Sequence, residues 1–171
     1  MFGKKTMKTA GALGALMMLS ACATTGVDDT VVNAVDTTRS TATAPTGPIP
    51  GSQADLEQTA GHRVFYGYNQ YTLTPQAQDV LARQAAWLKQ YPEADILISG
   101  NCDERGTREY NLALGARRAE AARAYLTSLG VDGSRIQTIS FGKDRPIDPR
   151  SNESAWSLNR NATTAIRGAG A

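Results

Sequence analysis

The chain has 171 residues and a mass of 18.2 kDa, enough for one domain with its own core and little more. Hydrophobic residues make up 41% and charged residues 20%, the balance of a globular chain that also carries some loose segment. The formal charge of +2 includes Lys4, Lys5 and Lys8, which lie in a stretch read below as removable; without residues 1–21, 15 basic side chains face 16 acidic ones, which leaves no electrostatic reason to bind nucleic acid, and one histidine (His62) with two cysteines excludes most His/Cys metal sites.

Residues 1–22 have the layout of a secretory signal. Lys4, Lys5 and Lys8 form a positive start, and Ala10 to Leu19 form an apolar run of ten residues. A bilayer span takes roughly 20 residues, so ten suit a signal peptide better than a membrane helix. Leu19-Ser20-Ala21-Cys22 resembles the bacterial lipobox. That resemblance implies a signal peptide over 1–21, acylation of the Cys22 thiol and N-acylation of its new amino terminus. Two or more acyl chains make anchoring stable, where one is marginal. The alternative is an ordinary cut after Ala21 with Cys22 incidental. Ala23, rather than Asp, is similar to the pattern of lipoproteins sent to the outer membrane.

Residues 23–60 are mostly Thr, Ala, Val, Gly, Pro and Asp, with Pro45, Pro48 and Pro50 close together. Large apolar residues are sparse, so the segment cannot bury enough surface to offset its ordering entropy. The region 22–60 is therefore expected to be a lipidated Cys and a flexible tether with an r.m.s. span of roughly 35 Å. Asp55-Leu56-Glu57 predicts at most a helical turn of no consequence.

The folded domain is expected over 61–167. Arg63 to Tyr66 reads as a short strand ended by Gly67. Thr74-Pro75 opens a helix, Thr as cap and Pro at the first helical position. Val80, Leu81, Ala85 and Leu88 carry it to about Gln90, and Pro92 stops it. Ala94 to Gly100 is an apolar strand of the kind covered by helices. A polar loop is expected over 101–110. Leu112, Ala116, Ala119, Ala122, Leu126 and Leu129 mark a second helix, closed by Gly130. Arg135 to Phe141 alternates as a strand, a Gly/Pro-rich loop follows to about Glu153, and Ala162 to Ile166 is a weak last strand. The fold class is α+β, in the order β-α-β-α-β-β, with two main helices on one face of a small mixed sheet.

The informative segment is Asn101 to Arg118, NCDERGTREYNLALGARR, between the central strand and the second helix. Asp103 sits just before that helix and Arg118 on its early turns. Folded back, the loop can bring both to one pocket suited to a zwitterion. An amino acid's ammonium would pair with Asp103, and its carboxylate would take a forked contact from Arg118. Asn111 can cap the helix or touch the ligand. Asp103 also reads as a turn or cap residue, and Arg117 and Arg118 as a solvated face. Adjacent helix residues point about 100° apart, so one of the two arginines at most faces a pocket.

Asp103, Gly106, Asn111 and Leu114-Gly115-Ala116-Arg117-Arg118-Ala119 strongly resemble the motif of the OmpA-like peptidoglycan-binding domain. Asp103 to Thr107, Glu109 to Asn111, Phe141 to Pro146 and Asn159-Arg160 resemble its lipoprotein branch. The resemblance implies a non-enzymatic domain with no cofactor and no metal. It implies that Asp103 and Arg118 bind the zwitterionic end of diaminopimelate in a peptidoglycan stem peptide, that TolB and other Tol proteins are partners, and that the chain serves outer-membrane integrity and cell division. The chain departs from that pattern at Tyr66-Gly67-Tyr68-Asn69, where two acids are missing, and at Asn101, Cys102 and Asn161. A rival reading is a thiol amidase or peptidase using Cys102 and His62, which lacks a third orienting residue. A further alternative is a protein-interaction domain whose wall binding is weakened by the missing acids.

Overall fold

The computed structural model describes residues 47–168, so the signal segment, the expected acylation at Cys22 and the tether up to residue 46 lie outside the described residues. Thr74 caps α2 (Pro75–Gln90) by accepting from the Ala77 N–H, with Pro at the start, as the sequence predicts. Arg135 donates to the carbonyls of Leu88, Tyr91 and Ala94 and so closes the far end of that helix. Thr107 caps α3 (Arg108–Ser128) through the Tyr110 N–H. That cap starts the helix four residues before Leu112, because its first turn is polar and leaves no mark in the apolar period. Gly130, at φ 89°, ends it in the left-handed conformation that glycine takes without strain.

The strands are β1 (Arg63–Phe65), β2 (Ile96–Asn101), β3 (Ile136–Gly142) and β4 (Asn161–Ile166). They form one sheet in the order β1-β4-β2-β3. β2 and β3 run parallel and are joined through α3, while β4 is antiparallel to both β1 and β2. The strand expected to be weak therefore holds an interior place, and its Ala162 and Thr164 are buried. Ile96 and Ile98 of β2 meet Leu81, Ala85 and Leu88 of α2 and Ala119, Ala122 and Leu126 of α3 in one core. Each fully buried Ile or Leu side chain there contributes about 1.5–3 kcal/mol.

Two helices were not expected. α4 (Glu153–Asn159), capped by Asn152, spans less than two turns and shows too little period to read. α1 (Gln53–Thr59) corrects the tether boundary at residue 60. Ser52 caps it, and Leu56 is wholly buried in the core. The Gln53 side chain accepts from Ile166 N–H and donates to the Thr164 carbonyl, so one amide continues the ladder of β4 beyond β1. A single buried Leu between polar neighbours carries no periodic signal, which is why composition alone assigned this turn to the tether.

α3 lies directly on β2 and β3 where Gly100 and Gly115 face each other. A Cβ on Gly115 would come within 2.7 Å of the Gly100 carbonyl oxygen. Asp103 is three residues beyond Gly100, and Arg118 is three beyond Gly115, so this contact sets the approach of the two predicted site residues.

Candidate functional site

β2 changes register between Gly100 and Asn101, and the Cys102 N–H then donates to the Gly142 carbonyl at 2.7 Å. The loop that follows turns at Gly106, φ 92°, and enters α3. Asn111 braces it: the Nδ2 group donates to the carbonyls of Arg105 (2.8 Å) and Thr107 (3.1 Å). The loop is shorter than expected and its shape is held by hydrogen bonds from its own helix.

Asp103 is almost fully buried and accepts four hydrogen bonds. Oδ1 accepts from Arg105 N (3.1 Å) and Arg105 Nε (3.2 Å); Oδ2 accepts from Arg105 Nη2 (2.6 Å) and Arg160 Nη1 (3.3 Å). Burial pushes its carboxyl up, but the bonds from Arg105 and then Arg160 outweigh that and hold it below the usual carboxylate range. Arg160 also donates to the Tyr66 carbonyl and to Glu153 Oε1. The Arg105 guanidinium lies between two rings, 4.3 Å from the centroid of Tyr68 and 4.1 Å from that of Trp156.

Arg118 forms the floor of the same cleft and is fully buried, while Arg117 is exposed, so one arginine of the pair faces the site. Its Nε donates to Gln70 O, Nη1 to Asn101 O and Cys102 Sγ, and Nη2 to Gly67 O. Four of the five guanidinium donors are thus committed to protein. The expected two-pronged grip on a carboxylate is not available to Arg118 in this arrangement. It supplies one further N–H and a buried positive charge, and it fixes the β1–α2 loop on which Tyr68 and Asn69 stand. Tyr66 supports it by donating to its backbone carbonyl at 2.9 Å.

The cleft has a volume of about 220 Å³, the scale of one amino-acid end rather than of a drug-sized ligand. Asp103, Arg118 and Asn111 all line it, joined by Arg105, Arg160 and Leu114, with Tyr68, Asn69 and Tyr110 at the rim. Three guanidinium groups against one carboxylate in its lining make it electropositive, with Glu153 pairing to Arg105 and Arg160 from outside. Sequence reasoning assigned no role to Arg105, Arg160 or Tyr110. Arg105 and Arg160 stand inside the quoted motif strings, but their convergence depends on the β2–β4 pairing.

Two of the departures from the resembled pattern meet each other. Asn101 Nδ2 donates to Asn161 Oδ1 at 2.9 Å, both side chains buried. Gly67 contributes its carbonyl to Arg118, and Asn69 adopts φ 55° and accepts a hydrogen bond from the Tyr110 hydroxyl. Cys102 is buried, with Sγ between the Asn111 carbonyl and Arg118 Nη1, and burial pushes its thiol pKa up. His62 instead faces Glu57 at 3.8 Å, so the two residues of the thiol-hydrolase reading have different neighbours.

Residues 65–160 match the OmpA family. The chain is 47% identical over 159 residues to a peptidoglycan-associated lipoprotein of Mesorhizobium japonicum, covering 93% of this chain and 91% of that one. It is 52% identical over 121 residues to a peptidoglycan-associated lipoprotein of Rhizobium meliloti, covering 71% and 69%. Its structure is similar to a crystal structure of the peptidoglycan-associated lipoprotein from Burkholderia pseudomallei, with a TM-score of 0.61 and 42% identity over 62% of this chain and 90% of that one.

Proposed function

The chain belongs to the OmpA family, beside its peptidoglycan-associated lipoproteins, and from that premise we propose that its cleft holds the free zwitterionic end of diaminopimelate in a peptidoglycan stem peptide. The observation that carries this reading is a buried carboxylate, Asp103, set among three arginines in a space the size of one amino-acid end. The ligand ammonium pairs with Asp103. Its carboxylate sits over Arg118, taking that residue's fifth N–H and the field of Arg160. Asn111 keeps the loop in shape. No bond is made or broken.

With Cys22 acylated in the outer membrane, such a grip ties that membrane to the wall. TolB and other Tol proteins are the proposed protein partners, in service of envelope integrity and cell division. The exposed rings of Tyr68 and Tyr110 at the rim of the cleft support a second, proteinaceous contact.

The test is a pull-down on purified peptidoglycan. Asp103→Asn and Arg118→Lys are expected to lose most of the bound fraction while circular dichroism and unfolding stay cooperative. Arg118→Ala is a poorer probe, since it strips hydrogen bonds from the Gly67 and Gln70 carbonyls of the β1–α2 loop and from the Asn101 carbonyl at the end of β2. Retention of wild-type binding by both folded variants sinks the reading.

A further inference from the structure

We infer that Arg105 is a specificity-determining residue of the cleft: it is a built-in rival for the ligand's cation, holding Asp103 until an ammonium displaces it. This rests on the proposed function and adds what the ligand must do to enter. A carboxylate offers about four lone-pair positions. Arg105 takes three of those on Asp103 and Arg160 the fourth, so an incoming ammonium finds no open acceptor there.

One of the two guanidinium groups has to yield. Arg160 is 8% exposed and tied to the Tyr66 carbonyl and Glu153, which holds it in place. The Arg105 side chain is 30% exposed, and a second acid is within reach, Glu153 Oε2 at 3.8 Å from Arg105 Nη1. The Tyr68 and Trp156 rings on either side form a slot in which the guanidinium can shift from Asp103 toward Glu153 while keeping both stacking contacts. Only a ligand group of full positive charge replaces what Asp103 gives up. A neutral, acylated amine does not.

The apparent affinity is then reduced by the fraction of molecules in which Asp103 is released; a nine-to-one preference for the Arg105 contact weakens binding roughly tenfold. The experiment is a calorimetric titration of the full chain with N-acetyl-L-alanyl-γ-D-glutamyl-meso-diaminopimelate, whose one free amine is that of diaminopimelate, and with the same peptide acetylated there as well. Arg105→Gln is expected to bind the free-amine probe several-fold to tenfold more tightly and the acetylated probe unchanged. Glu153→Gln is expected to weaken free-amine binding in the wild-type background and to have little effect in the Arg105→Gln background. Weaker binding of both probes by Arg105→Gln makes Arg105 a direct ligand contact and overturns the inference, as does no change with either. If wild type binds neither probe, or Asp103→Asn binds like wild type, the cleft assignment itself fails and this inference falls with it.

Discussion

Asp103 serves two ends at once. Its carboxylate neutralises Arg105 and Arg160 within the protein, and the same oxygens are the proposed acceptors for a ligand cation. Because its folded pKa lies below its unfolded value, the carboxylate stabilises the fold above the unfolded pKa near 4, and that stabilisation is lost as pH falls through the folded value. Asp103→Asn is expected to destabilise the domain at pH 7 by roughly 2 kcal/mol, the loss of charge-assisted hydrogen bonds. The gap from wild type should narrow as pH is lowered to 3, since the unfolded wild-type chain then takes up a proton that the folded carboxylate resists binding. Urea midpoints of both proteins at the two pH values check this; a gap that stays constant shows that Asp103 is not ionised against these arginines. Of this constellation, the sequence makes Asp103, Asn111 and Arg118 legible because they fall within one motif string. Arg160 is not, because its side chain reaches Asp103 from 57 residues away through the placement of β4 beside β2. How many Arg118 donors remain for a ligand is illegible for a related reason. Sequence spacing places a guanidinium near a pocket but does not say which backbone carbonyls already claim its donors.

At the scale of elements, the cleft depends on how closely α3 lies on the sheet. Gly100 and Gly115 let helix and strand backbones touch, and Ser140 of β3 closes the same gap from the other side. Gly115→Ala has nowhere to put its methyl group, since both neighbours are near or in backbone and the helix itself would have to lift. Overpacking of this kind costs about 1–3 kcal/mol, against a small gain in helix propensity from replacing glycine. The expected result is a melting temperature lower by roughly 5–10 °C, with peptidoglycan binding reduced beyond the loss of folded protein because the 103 and 118 positions part. A melting curve and a pull-down below the transition separate these effects; an unchanged melting temperature rejects the close-packing argument. α2 is readable because its apolar residues lie on the face it buries, and α3 because Leu114, Ala119, Ala122 and Leu126 recur at helical spacing even though Asn111 and Arg118 share the buried face. The short α4 is not readable, yet it brings Trp156 and Glu153 to the site.

For the whole molecule, the unexpected element is the one that sets where the domain begins. Composition places residues up to 60 in the tether, but Leu56 is as buried as any residue of the core. Around it, Asp55 accepts from Trp87 Nε1 at 3.0 Å and from Gly51 N at 2.9 Å, and Gln53 pairs with the end of β4. α1 therefore covers the far end of α2 and the last residues of the sheet, away from the loop that carries Asp103. The folded domain therefore begins no later than Ser52, the cap of α1, and not at residue 61. A chain beginning at residue 61 would expose Trp87 and Leu88 and leave a void where Leu56 sits. Deleting a buried leucine side chain alone costs about 2–5 kcal/mol, so the shortened chain should lose at least that much relative to one beginning at residue 47. Leu56→Ala in the longer chain should reproduce most of the loss. Because the site lies at the opposite end of β2, peptidoglycan binding by the folded fraction should survive both changes. Urea unfolding of the three proteins, followed by pull-down at low temperature, decides the matter. Equal midpoints for chains starting at 47 and 61 return α1 to the tether, whereas a large loss of stability with binding retained makes it part of the domain.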